Sequence, residues 1–89
     1  MKYHIFAIDL LTIAYILIKI DLGAEQNVME QLEKIEQVGK IDRTFGDYDM
    51  VVKIESENIE KIRDTISWKL KQLDKVRSTL TLVKKDKIN

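Results

Sequence analysis

Apolar residues recur in steps of two along some stretches of this chain and in steps of three and four along others. Residues 14–20 (AYILIKI) are β-branched and aromatic, which predicts a strand closed by Gly23. From residue 24 to residue 36, Val28, Leu32 and Ile35 recur at steps of four and three. That spacing is one helical stripe, and Gly39 is expected to end it. Residues 40–45 alternate Ile41, Arg43 and Phe45 against Lys40, Asp42 and Thr44, which reads as a second strand. Gly46-Asp47-Tyr48 then turns the chain into a third strand over 49–55. Ser56 is the expected N-cap of a second helix. That helix carries Ile59, Ile62, Ile66, Leu70 and Leu73. Residues 78–84 form the last strand, and a charged tail follows over 86–89.

The order strand, helix, strand, strand, helix, strand is the split βαβ, or ferredoxin-like, plan of the α+β class. Right-handed crossovers place both helices on one face of a four-stranded antiparallel sheet. Strand alternation then sorts the two faces. Ile16, Ile18 and Ile20, with Met50, Val52 and Ile54 and with Leu80 and Leu82, are expected to face the helices. The opposite face would hold Tyr15, Leu17, Val51 and Val83 among polar residues. A half-apolar face is expected to be covered by a second subunit, giving a dimer with its sheets packed face to face. The alternative is an open sheet with scattered apolar residues. Trp68 lies about 180° from the apolar stripe of its helix. It is either a lone exposed aromatic or a second interface anchor.

Composition narrows the chemistry. The chain has 89 residues, one domain's worth, and a domain of that size gains from oligomerisation. Fifteen basic and fifteen acidic residues balance to a net charge of zero, which speaks against direct nucleic-acid binding. Cysteine is absent, so disulfides, thiolate metal sites and cysteine nucleophiles are excluded. The absence fits a cytoplasmic location. The apolar stretch over 5–20 is interrupted by Asp9 and Lys19 and followed by Asp21, which fits neither an export signal nor a membrane span. His4 is the only histidine, with no ligand cluster around it, so no metal or cofactor is expected. Asp47 and Asp49 are paired carboxylates, but a turn does not promise the burial a general acid needs. With no set of residues in named catalytic roles, the chain is expected not to be an enzyme.

Three stretches carry a resemblance: AYILIKIDLG (14–23), GKIDRTFGDYDMVVKIES (39–56) and LDKVRSTLTLV (73–83). Together they resemble the effector-binding (RAM) domain of the Lrp/AsnC, or leucine-responsive, transcription regulators, over 14–85. Full-length members carry an N-terminal helix-turn-helix domain. Here only residues 1–13 precede the matching region, too few for one, so the resemblance implies a stand-alone effector domain with an N-terminal extension outside the family pattern. It further implies a homodimer that assembles into a higher, octamer-like ring. Small effectors, usually amino acids, bind between dimers in this family. Full-length Lrp/AsnC-type regulators are then natural partners.

The resemblance places the ligand at Gly46, Asp47, Tyr48 and Asp49 and at Ser78, Thr79 and Thr81. Gly46 can take a positive φ and admit a ligand close to the backbone. Asp47 or Asp49 would hold an ammonium by charge-assisted hydrogen bonds, and turn N–H groups would hold a carboxylate. Tyr48 would cover an aliphatic side chain, and the hydroxyls of Ser78, Thr79 and Thr81 would complete the set. Arg77 is a further, weaker anion contact. Two other readings stay open: a ligand-free structural oligomerisation protein, and a small enzyme of the dimeric α+β barrel type.

Overall fold

The structure is a computed structural model that describes residues 12–84. Most of the expected N-terminal extension and the charged tail lie outside the described residues. The elements run β1 (Thr12–Ile20), α1 (Glu25–Leu32), β2 (Val38–Arg43), β3 (Met50–Ser56), α2 (Ile59–Asp64) and β4 (Val76–Val83). The strands form one antiparallel sheet in the order β2-β3-β1-β4. This is the ferredoxin-like plan, with the helices on one face.

The core follows from period two meeting period 3.6. Ala14, Ile16, Ile18 and Ile20 of β1 and Met50, Val52 and Ile54 of β3 turn to the helices and are buried. Val28 and Leu32 of α1 and Ile62 of α2 close over them. The second helix continues into a wide turn at Thr65–Leu70, where the Lys71 N–H donates to the Ile66 carbonyl, five residues back. The wider turn lets Thr65, Ile66 and Leu70 all reach the interior. The Thr65 hydroxyl is satisfied by donating to the Lys61 carbonyl at 2.9 Å.

Several boundaries differ from expectation. β1 begins at Thr12, paired with Ser56, so Thr12 and Ile13 belong to the sheet. α1 stops at Leu32, because the chain must turn in time for Val38 to pair with Ile54. Gly39 therefore lies within β2, at a register shift, and does not end the helix. β2 ends at Arg43, which leaves Phe45 fully exposed in the following loop. Ser56 is still in β3 and buried. The cap is Asn58, whose side-chain oxygen accepts from the Lys61 N–H at 2.8 Å.

The largest difference is in β4. Antiparallel partners share a face, and β4 pairs Thr79 with Ile18, Thr81 with Ile16 and Val83 with Ala14. Thr79, Thr81 and Val83 therefore lie on the helix side. Leu80 pairs with Leu17, and Leu82 with Tyr15, on the open side. The assignment of Leu80 and Leu82 to the core, and of Val83 to the open face, is thus reversed. Lys19 pairs with Ser78 but Ile20 pairs with Val76, so Arg77 is the extra residue of a β-bulge. β4 is an edge strand, and the helices do not cover it fully. Leu80 and Leu82 remain 45% and 52% exposed.

Candidate functional site

The β2–β3 connection, GDYD within it, is fastened to the sheet by backbone and side-chain bonds. The Thr44 N–H donates to the Asp49 carbonyl at 3.0 Å, and the Thr44 hydroxyl donates to the Tyr48 carbonyl at 2.8 Å. Asp49 works in both directions. Its N–H donates to the Ile18 carbonyl at 2.8 Å, and its Oδ2 accepts from the Ile20 N–H at 2.7 Å. The carboxylate thus satisfies an amide at the end of β1, beyond its last pairing with β3 at Ile18. Gly46 has φ of 103°, in the region where a side chain would be strained. Asp47 is exposed, and Tyr48 is half-buried with the Lys19 ammonium 5.6 Å from its ring centroid.

Beside this loop lies a hollow of about 360 Å³ lined by Glu25, Arg43, Thr44, Phe45 and Asp49. Glu25 begins α1 and Arg43 ends β2, so the fold brings opposite charges to one cavity. Among the described residues Arg43 Nη2 makes a long contact, 3.5 Å, to Gln26 Oε1. None of the ion pairs among the described residues joins Glu25 to Arg43. A carboxylate and a guanidinium facing one space match the ammonium and carboxylate of a free amino acid. Neither residue stands out in the sequence, because they are eighteen positions apart in different elements.

The expected second half of the site is elsewhere. β1 lies between the hairpin and β4. Ser78 and Thr79 line a separate hollow with Lys71, Val76 and Arg77. Thr81 lines a third, with Val83 and Ile59, Ile62, Arg63, Ile66 and Ser67 of the second helix. Within one chain the two groups of expected ligand residues are not brought into one cavity. Among the described residues no cluster of acidic or histidine side chains could hold a metal.

The open face carries Tyr15, Leu17, Val51, Leu80 and Leu82 at adjoining register positions. Lys40–Asp42 at 3.8 Å and Lys53–Glu55 at 3.2 Å are ion pairs on its β2–β3 side. An apolar centre with a charged flank is the layout of a protein–protein interface. Trp68 is 70% exposed, on the side of its helix away from the core.

A ferredoxin-like sheet with helices on one face and an apolar open face defines a small α+β domain. Comparison with known proteins makes the class particular. Residues 13–86 match the Lrp/AsnC ligand binding domain, and the chain belongs to that family. It is 34% identical over 71 residues to the HTH-type transcriptional regulator FL11 of Pyrococcus furiosus, covering 80% of this chain and 46% of that one. The chain spans about half the length of the curated relatives it matches. Among solved structures, FFRP-DM1 superposes with a TM-score of 0.79 at 27% identity, covering 82% of this chain and 97% of that chain. A transcriptional regulator of Neisseria meningitidis, solved as a complex with L-Met, has the same fold at a TM-score of 0.80 and 14% identity, over 92% of this chain and 55% of that one.

Proposed function

We propose that this chain is a regulatory effector-binding and assembly domain that takes a free amino acid at the hairpin end of its sheet. The observation that carries the reading is the pair of opposite charges, Glu25 and Arg43, on one hollow of about 360 Å³. Glu25 receives the ammonium and Arg43 the carboxylate. Phe45, fully exposed at the rim, offers an apolar surface to the ligand side chain. Asp49 holds the hairpin in place through Ile20 and is a positioning residue.

Two copies pack their open faces together through Tyr15, Leu17, Val51, Leu80 and Leu82, and dimers join into an octamer-like ring. The hairpin stands at the end of the sheet, so a ligand there can favour one arrangement of dimers over another. Co-assembly with full-length Lrp/AsnC regulators would carry that signal to DNA. The L-Met complex of the Neisseria regulator supports an amino acid as the ligand class. The second reading is a ligand-free assembly domain. It is favoured by the Asp49 carboxylate, whose bond to the backbone gives GDYD a structural purpose.

Thermal unfolding in the presence of each of the twenty amino acids, followed by calorimetry on the best ligand, separates the two. Binding to the native state raises the melting temperature by mass action. The proposal expects at least one ligand whose affinity falls about tenfold or more in both Glu25→Gln and Arg43→Gln, with the unliganded melting temperature unchanged. A ligand that binds both variants as well as the parent would remove the site assignment. No response to any amino acid would leave the assembly domain.

A further inference from the structure

We infer that residues 1–11 (MKYHIFAIDLL) dock in the apolar groove between the second helix and β4, with Asp9 set against Arg63. The inference goes beyond the amino-acid reading and uses none of its residues. The groove holds about 270 Å³ on the helix side of the sheet. Ile59, Ile62 and Ile66 form one wall, and Thr81 and Val83 the other. Ile62 and Ile66 are buried, but Ile59 and Val83 at the rim are 39% and 46% exposed. A second copy on the open face covers the opposite side of the sheet and leaves this rim in water.

The chain enters β1 at the mouth of this groove. Thr12 pairs with Ser56, three residues before Ile59, and the Ile13 carbonyl accepts from the Lys84 N–H at 2.8 Å, next to Val83. Residue 11 therefore joins the sheet between the near ends of the two walls. Eleven residues reach about 16 Å as a helix and about 36 Å extended. The wall from Ile59 to Ile66 is about 10 Å long, so either form spans it. Residues 85–89 start at the same mouth but contain one apolar residue, Ile88, whereas 1–11 contain Tyr3, Ile5, Phe6, Ile8, Leu10 and Leu11. Charge selects the same segment. Among the described residues Arg63 is the only charged side chain lining the groove, and no ion pair there uses it. Asp9 is the only acid in residues 1–11 and interrupts an otherwise apolar run. It stands three residues before Thr12, within about 10 Å of the mouth. Arg63 is about one helical turn in from Ile59. Removing the apolar rim from water drives the docking. The exposed Asp9–Arg63 pair fixes register more than it stabilises.

The test is nuclear Overhauser spectroscopy on the whole chain, with ¹³C-labelled Ile, Leu and Val methyl groups. The expected result is contacts from the Phe6 ring or the Ile8 methyls to the methyls of Ile59 and Val83. No contact from any of residues 1–11 to either would overturn the proposal. A mixture of labelled and unlabelled chains separates contacts within a chain from those between chains. Contacts seen only between chains would put the segment on a neighbouring copy, and would also overturn it. Thermal unfolding gives a second reading. Ile59→Asp and the pair Phe6→Ser with Ile8→Ser should each lower the melting temperature by about 5 °C, and all three together by little more than either alone. Additive losses, or no loss from the Phe6 and Ile8 pair, would count against docking. Glu25→Gln, which alters only the hairpin hollow, should leave the contacts in place, so failure here is distinguishable from failure there.

Discussion

β3 and β4 pair with opposite edges of β1, and they dispose of their side chains in different ways. In β3, Met50, Val52, Ile54 and Ser56 are buried and the residues between them are not. In β4 no residue is buried, and the two leucines are about half exposed on the face away from the helices. β3 is central and lies beneath the second helix. β4 is an edge, where Thr79, Thr81 and Val83 occupy the helix side. Threonine loses little there, since its hydroxyl stays near solvent. A leucine half exposed in a lone chain is another matter. Completing its burial is worth about 1 kcal/mol, so four leucines across a two-fold axis would contribute about 4 kcal/mol to association. The larger apolar residues of an edge strand can thus serve an interface rather than the core.

The sharpest contrast is in stability. Ile54→Ala, at the centre of the buried face, should cost about 2–4 kcal/mol in urea unfolding at fixed protein concentration. Thr81→Ala, on the helix side of β4, should cost under about 1 kcal/mol. Equal losses would mean that β4 is packed as tightly as β3.

The junction of β3 with β1 offers a smaller effect. Asp49→Asn keeps the shape of the side chain but removes the charge from its bond to the Ile20 amide. A loss of about 1–2 kcal/mol is expected, with faster hydrogen exchange at Ile20. An unchanged exchange rate there would mean the carboxylate is not holding the strand end, and would return Asp49 to the ligand.

The strands β1 and β3 were legible because an apolar residue stands at every second position from Ala14 to Ile20 and from Met50 to Ile54, and both are covered by helices. β4 was not, for a specific reason. Leu80 and Leu82 look like a core set, and only the register with β1 turns them outward. A one-residue shift reverses every side chain of a strand, and nothing in VRSTLTLV marks Arg77 as a bulge. The start of the second helix was misplaced for a similar reason. Ser56 was the expected cap, but its pairing with Thr12 keeps it in β3 and the cap falls at Asn58. The hairpin residues Gly46–Asp49 were visible as a motif. Glu25 and Arg43 were not, since only the folded chain brings the start of α1 to the end of β2.

The measurement that bears most directly on this account is the molar mass in solution, by light scattering, of Leu80→Asp beside Val83→Asp. The two positions are three residues apart on one strand, but on opposite faces of the sheet. An assembly built on the open face predicts that Leu80→Asp dissociates it to the monomer while Val83→Asp keeps the parent mass. The reverse pattern, or a monomeric parent, would contradict it.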